Sequence, residues 1–141
     1  MQKLLKCLCA LLFGALPVCA VLCVPDARAE EELAPGYNAC IEKAQSTAKN
    51  LECLTAAYNH WDKMLNTNFK KAQAACADAA DAKTCRAKLL KAQRLWIQYK
   101  EAMADALYGM SGGGTMDNLT VGNFLAEETK KQARLLSPGA E

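Results

Sequence analysis

Cysteine and histidine are the residues of this 141-residue chain whose types could most readily do chemistry, and it has eight cysteines and one histidine, His60. Thiols close disulfides, bind zinc or act as redox nucleophiles. Zinc sites and thiol oxidoreductases typically use a CxxC pair, which the sequence lacks, and His60 has no nucleophile at a recognisable catalytic spacing. We therefore predict no enzyme, with no catalytic residue, metal or cofactor, and interpret His60 as a surface residue.

The first 29 residues have the features of a cleavable secretory signal peptide. Two lysines precede an apolar run, and Ala27-Arg28-Ala29 is a small-x-small cleavage pattern directly before acidic residues. A retained transmembrane anchor is the alternative, but Pro17 in the middle of the run disfavours it. Lipid attachment would need a small residue directly before the modified cysteine, which Val18 before Cys19 and Leu22 before Cys23 do not supply. We predict a periplasmic or secreted bacterial protein without a stable membrane anchor, beginning near Glu30.

Four cysteines remain after removal of the signal, an even number in a small exported domain that meets an oxidising compartment. They are Cys40, Cys53, Cys76 and Cys85. Four cysteines permit three pairings, and the spacing favours Cys40 with Cys53 and Cys76 with Cys85, each clamping a short connection between helices. A disulfide that closes a loop of this size is worth roughly 3 kcal/mol on the chain-entropy model.

Apolar spacing predicts an all-α fold, a small bundle of one short and three longer helices stapled by the two disulfides. No stretch alternates with the period of a strand. Pro35 and Gly36 indicate a flexible leader over 30–36, and a single helical domain follows over 37–137. The helices are predicted at about 38–49, 51–76, 81–108 and 116–136, capped by residues such as Asn38 and Thr115, with a flexible hinge at the glycine run 112–114.

Two apolar stripes are predicted to pack the long helices, so that Trp61 and Trp96 face inward. The second helix should be antiparallel to the third, because their connection is short. Polar groups beside the stripes could form a hydrogen-bonded layer, with Asp62 or Asn66 reaching Gln93 or Lys100. The stripe of the second helix is Leu51, Leu54, Tyr58, Trp61, Leu65, Phe69, Ala72 and Cys76, and that of the third is Leu89, Ala92, Trp96, Tyr99, Met103 and Ala106.

Charge gives little indication of a polyanionic partner. Lys88, Lys91 and Arg94 form a basic ridge that could contact anionic lipid or nucleic acid, but no aromatic residue interleaves it. Without the signal, the chain is close to neutral. We interpret the ridge as a solvated face and predict no nucleic-acid partner. The glycine run is not a phosphate-binding loop, because no strand precedes it and no Lys-Ser or Lys-Thr pair follows.

Three segments carry a family resemblance: WDKMLNTNFKK from Trp61, KAQRLWIQYKEA from Lys91, and FLAEETKKQARLL from Phe124, after the glycine run. Together they resemble the lysozyme inhibitor LprI-like N-terminal domain, a family of small helical exported bacterial domains. The pair Cys40 and Cys53 also matches the usual beginning of that family. The positions that match its motifs are Asp62, Leu65, Asn66, Gln93, Trp96 and Lys100.

The resemblance implies a protein-binding domain that inhibits lysozyme by surface contact, with lysozyme or another envelope protein as partner. The alternative is an envelope interaction or stress protein with an unknown protein partner. Candidate contacts are Asp78 and Asp81 in one loop and the glycine loop 109–115. The sequence departs from the family where Met103 and Phe124 replace two cysteines with an apolar contact, and where Lys100 replaces an arginine and loses its planar two-pronged donor.

Overall fold

Four α-helices and one 3-10 turn make up the part of the chain that the computed structural model describes, residues 31–110 and 112–138. No strand occurs in these residues, so the all-α prediction of one short and three longer helices is confirmed. The predicted signal peptide lies outside the described residues. The elements are α1 (Tyr37–Lys43), α2 (Thr47–Ala75), the 3-10 turn (Cys76–Asp78), α3 (Ala82–Met110) and α4 (Thr115–Leu135).

Side chains near the helix ends explain where α1, α2 and α3 begin. The Glu32 carboxylate accepts a hydrogen bond from the Asn38 backbone N–H at 2.7 Å, so Asn38 is not the cap we predicted. Ser46 caps α2 by accepting from the Lys49 N–H, which starts α2 earlier than expected. Asp81 caps α3 through the Thr84 N–H at 2.9 Å. Each acceptor satisfies a backbone donor that the first helical turn leaves unpaired.

The glycine run is an organised turn, whereas we predicted a flexible hinge. The carboxylate of Asp117, a residue that is only 4% exposed, accepts hydrogen bonds from the N–H groups of Gly113 and Gly114 at 2.7 and 2.9 Å. Asp117 therefore caps α4, where we expected Thr115. Gly112 and Gly113 both have positive φ, a conformation that costs glycine little and other residues more.

The core is built on a close parallel packing of α2 against α4. Gly122 lies against Leu51 and Leu54, and eleven residues later Ala133 accepts a hydrogen bond through its carbonyl from the Asn68 side chain at 2.8 Å. Small residues on α4 let the two helices approach. Those that face α2 are spaced at three or four residues: Gly122, Ala126, Thr129 and Ala133.

The α3 helix runs antiparallel to α2 and α4. The disulfide Cys76–Cys85 joins its start to the end of α2, and Cys40–Cys53 ties α1 to α2. Both predicted pairings are confirmed. Near the Cys76–Cys85 disulfide, the Arg86 Nε also donates a hydrogen bond to the Gln73 carbonyl at 3.4 Å.

The two predicted stripes have different outcomes. All eight positions of the α2 stripe are buried or half-buried, as predicted. On α3, Leu89 and Trp96 are half-buried, but the other four positions, Ala92, Tyr99, Met103 and Ala106, are exposed. The helix turns Gln93 and Lys100 inward instead, because both side chains find partners on neighbouring helices.

Ala126 tests the close approach of α2 and α4, because its side chain is fully buried in the core cluster with Leu54 and Ala57. Ala126→Leu should lower the free energy of unfolding by about 1–3 kcal/mol, the usual cost of overpacking. Ala87→Leu, at an exposed position of α3, is the matched control and should change it little. Urea unfolding of both variants is the measurement, and equal stabilities would contradict the packing.

Candidate functional site

The motif residues of α2 have separate environments. Leu65 is 3% exposed in the interior, whereas Asn66 is exposed. The Asn66 side-chain amide donates to the Asp62 carboxylate at 3.0 Å and to the Asp62 carbonyl at 2.9 Å. These two residues therefore pair along α2, and our prediction that they reach Gln93 or Lys100 is wrong. Asp62 is half-buried and Asn66 is exposed, so the pair forms a small polar patch at the surface of α2.

Lys100 is buried between two aromatic rings. Its side chain crosses from α3 to α2 and is 8% exposed as a residue, with Nζ 4.9 Å from the centre of the Trp96 ring and 5.1 Å from that of Tyr58. The ammonium also donates to the Tyr58 hydroxyl at 3.4 Å. A cation over two aromatic faces is attracted by both ring quadrupoles. A compact ammonium suits this space, which explains how lysine can stand at the position where the resemblance leads us to expect arginine.

Gln93 completes the connection of α3 to the other helices. Its side-chain oxygen accepts a hydrogen bond from the Gln132 amide of α4 at 3.0 Å. A polar layer across the helices therefore exists, but it consists of this pair and the Lys100 contacts. The motif residues Gln93, Trp96 and Lys100 position α3 against α2 and α4, and they do not form a pocket with Asp62 and Asn66.

Trp61 is the centre of a second cluster, which the sequence analysis missed. Its indole N–H donates to the Leu33 carbonyl at 2.6 Å. Two cations of α4 lie over the ring, Lys130 Nζ at 5.8 Å and the Arg134 guanidinium at 5.2 Å from its centre. The ring is thus held between the segment before α1 and the end of α4.

The same two cations fix residues 31–36, which we predicted as a flexible leader. Lys130 donates to the Glu32 carbonyl at 2.9 Å, and Arg134 forms a two-pronged ion pair with the Glu31 carboxylate. Leu33 and Ala34 are 6% and 3% exposed in the core cluster. That expectation is therefore corrected, since the segment packs as part of the domain. The sequence does contain a signal for this packing: an acidic run lies near its start, and a helix with basic residues lies near its end.

The loop between α2 and α3 carries the two acidic residues that the sequence singled out. Asp81 is engaged as the cap of α3, and its hydrogen bonds with Thr84 hold the pKa of its carboxyl below the usual range. Asp78 is exposed at the end of the 3-10 turn. The Cys76–Cys85 disulfide anchors both ends of this loop. Asp78 is therefore a negative charge on a constrained surface loop.

An open apolar cleft of about 240 Å³ lies at the other end of α2. Leu54 and Tyr58 of α2 face Val121 and Leu125 of α4 across it, with Gly122 at its floor. The cleft has room for an apolar side chain, and no cluster of ionisable groups lines it.

Other candidate chemical groups lie on the surface. His60 is exposed and packs edge-on against Trp61, with ring centres 5.0 Å apart, which confirms our interpretation. The ridge of Lys88, Lys91 and Arg94 is also exposed. Within residues 31–110 and 112–138, no three His, Cys, Asp or Glu side chains gather as metal ligands, and no helix there has the length and apolarity to cross a membrane.

Comparison with known proteins gives one finding. Residues 40–136, more than half of the chain, match the family model described as Lysozyme inhibitor LprI. No curated protein and no solved structure matches the chain. The matched range begins at the first cysteine of the Cys40–Cys53 disulfide and ends just after α4, so it contains both disulfides and all three long helices.

Glu31 gives the attachment of the leader a pH dependence. Its hydrogen bonds with Arg134 lower the pKa of the Glu31 carboxyl in the folded protein below its ordinary value of 4.5. The contribution of this ion pair to stability is therefore present above pH 4.5 and is lost as the pH falls through the lowered pKa. Glu31→Gln should reduce the melting temperature near neutral pH. The difference in melting temperature from the original protein should vanish at pH values below the lowered pKa.

The same pKa can be measured directly by NMR titration of the Glu31 carboxyl carbon. Arg134→Gln should bring this pKa back toward 4.5, because it removes the hydrogen-bond donors. An unshifted pKa in the original protein would show that the ion pair does not form in solution. Glu42→Gln on α1 is a control that should leave the titration of Glu31 unchanged.

Proposed function

The chain belongs to the lysozyme inhibitor LprI family, and from this premise we propose that it is an exported, non-enzymatic protein that binds lysozyme and inhibits it by surface contact. The match over residues 40–136 is the observation that carries the proposal. The motif residues support it indirectly, because Leu65, Trp96 and Lys100 hold helices together and leave the exposed loops and faces for a partner.

Features that fit an exported protein support this proposal, because lysozyme acts on the cell wall outside the cytoplasm. The two disulfides fit an oxidising compartment, as does membership of this family. We propose that residues 1–29 are a signal peptide removed after Ala29, which leaves the protein in the periplasm or the medium. Glu31, two residues after that point, is then available for its ion pair with Arg134 at the start of the mature chain.

We propose the loop over residues 76–85 as the part that contacts lysozyme. Lysozymes are typically basic, so a negative charge at the rim of the contact favours association. Asp78 is exposed for this role, whereas Asp81 is engaged at the start of α3. The disulfide that closes the loop limits the conformational entropy lost on binding.

The lysozyme assay tests the function itself. The full chain is expressed for export and purified in the oxidised form, and its intact mass reports removal of residues 1–29. Added to lysozyme and suspended cell walls, it should slow clearing until inhibition saturates near one molecule per lysozyme. No inhibition at any molar excess would overturn the proposal, and would favour an envelope protein with a different partner.

Asp78 tests the contact surface separately. Asp78→Asn should weaken inhibition by roughly two- to fivefold, the effect of one exposed ion pair, and the difference should shrink at high salt. Glu42→Gln is the matched control, since it removes an exposed carboxylate near the opposite end of α2, about 40 Å away. Equal effects of the two substitutions would exclude the loop but leave inhibition itself established.

A further inference from the structure

The third helix carries an apolar surface that the chain does not cover. Four large side chains on one face of α3 are well exposed: Leu95 (54%), Tyr99 (47%), Met103 (37%) and Met110 (78%). The exposed alanines Ala92 and Ala106 continue the same face. We call these six residues the outer stripe. They follow one another at steps of three or four residues, so they form a continuous band about 27 Å long.

Nothing within the described chain competes for the outer stripe, since α3 uses another face to pack against α2 and α4. That inward face presents Leu89, Gln93, Trp96 and Lys100. Tyr99 contacts α4 edge-on through Phe124, with 6.5 Å between the ring centres, and is still 47% exposed. A continuous exposed apolar band of this length marks a surface that binds another molecule.

Charges along one edge of the stripe indicate what that molecule is. Along this edge, two exposed basic residues, Lys91 and Arg94, come before Gln98 in the sequence. Two exposed acidic residues, Glu101 and Asp105, come after it. The edge is thus basic in its first half and acidic in its second. When two identical helices pack antiparallel, the same edge of each faces the other in reverse order. The basic half of one copy then lies opposite the acidic half of its partner.

We propose that the outer stripe binds the outer stripe of a second copy of this chain, forming an antiparallel two-fold dimer centred at Tyr99. Leu95 then packs on Met103 of the second copy, and the two Tyr99 rings meet at the axis. Such an interface is self-complementary, as closed two-fold symmetry requires. In a parallel pairing this edge would instead face the opposite edge of the second helix, so its basic and acidic halves would not meet.

The register also fits the sizes of the side chains. In the antiparallel arrangement Ala92 lies opposite Ala106 of the second copy, and small residues at those two layers let the helices approach closely. The same register brings Arg94 opposite Glu101 and Lys91 opposite Asp105, so each half of the dimer has two ion pairs along the edge. This dimer goes beyond the proposed function, because it requires no lysozyme.

Charge exchange at one pair tests the proposal sharply. The full chain, exported and purified in the oxidised form, should show a concentration-dependent monomer–dimer equilibrium by sedimentation. Arg94→Glu and Glu101→Arg should each weaken the dimer about tenfold, since each places like charges at two symmetric positions. The double variant Arg94→Glu/Glu101→Arg should restore it. An equimolar mixture of the two single variants should form a heterodimer more strongly than either associates alone.

A second comparison separates the outer stripe from general stickiness. Tyr99→Lys should abolish the dimer, because it places two ammonium groups at the axis. Ile97→Lys replaces another exposed apolar residue of α3, one on a different face, and should leave the dimer intact. Thermal unfolding by circular dichroism confirms that each variant is folded. A monomer at every concentration, failure of the double variant to recover, or equal effects of the lysines at 97 and 99 would each overturn the proposal.

Discussion

The close approach of α2 and α4 is the constraint on which the rest of this structure depends. Small residues on α4 leave space for Leu54 and Ala57 of α2, and a fully buried Ala126 fills the layer between them. Dispersion and the burial of apolar surface stabilise this close contact between α2 and α4 only if the packing has neither gaps nor overlaps. The ends of the helices are then fixed by other means, the disulfides at α1 and at the turn before α3, and Asp117 at the glycine turn.

Contacts between cationic side chains and aromatic rings help to hold this domain together. Lys100 is placed between Tyr58 and Trp96, while Lys130 and Arg134 lie over Trp61 and hold the segment before α1. In each case an aromatic face or backbone carbonyl compensates for the water that the cation loses. The tryptophans are therefore structural, while the loops and the outer stripe of α3 are exposed for recognition. The chain belongs to an inhibitor family, and this architecture is compatible with the action by surface contact that we propose.

The parts of this fold that the sequence could predict are those that depend on neighbouring residues. Spacing alone predicted the α2 stripe and both local disulfides. The predicted α3 stripe was misplaced because an argument from periodicity places polar residues such as Gln93 and Lys100 on the outside. In the structure both point inward, where Gln93 accepts a hydrogen bond from Gln132. Lys100 lies between Tyr58 and Trp96. The docking of Leu33 was missed for a similar reason, since it depends on cations about 100 residues later in the chain. Among the family-motif residues, Asp62 and Asn66 pair with each other along α2, whereas Gln93, Trp96 and Lys100 connect helices.

Hydrogen–deuterium exchange of the oxidised protein with and without saturating lysozyme tests most directly whether a preformed, rigid domain acts by surface contact. The account predicts that lysozyme slows exchange in the loop over residues 76–85, while the amides of α2 and α4 around Ala126 exchange equally slowly in both states. Faster exchange in that core on binding, or slower exchange confined to the segment around Leu33, would contradict it, because inhibition would then require the domain to open.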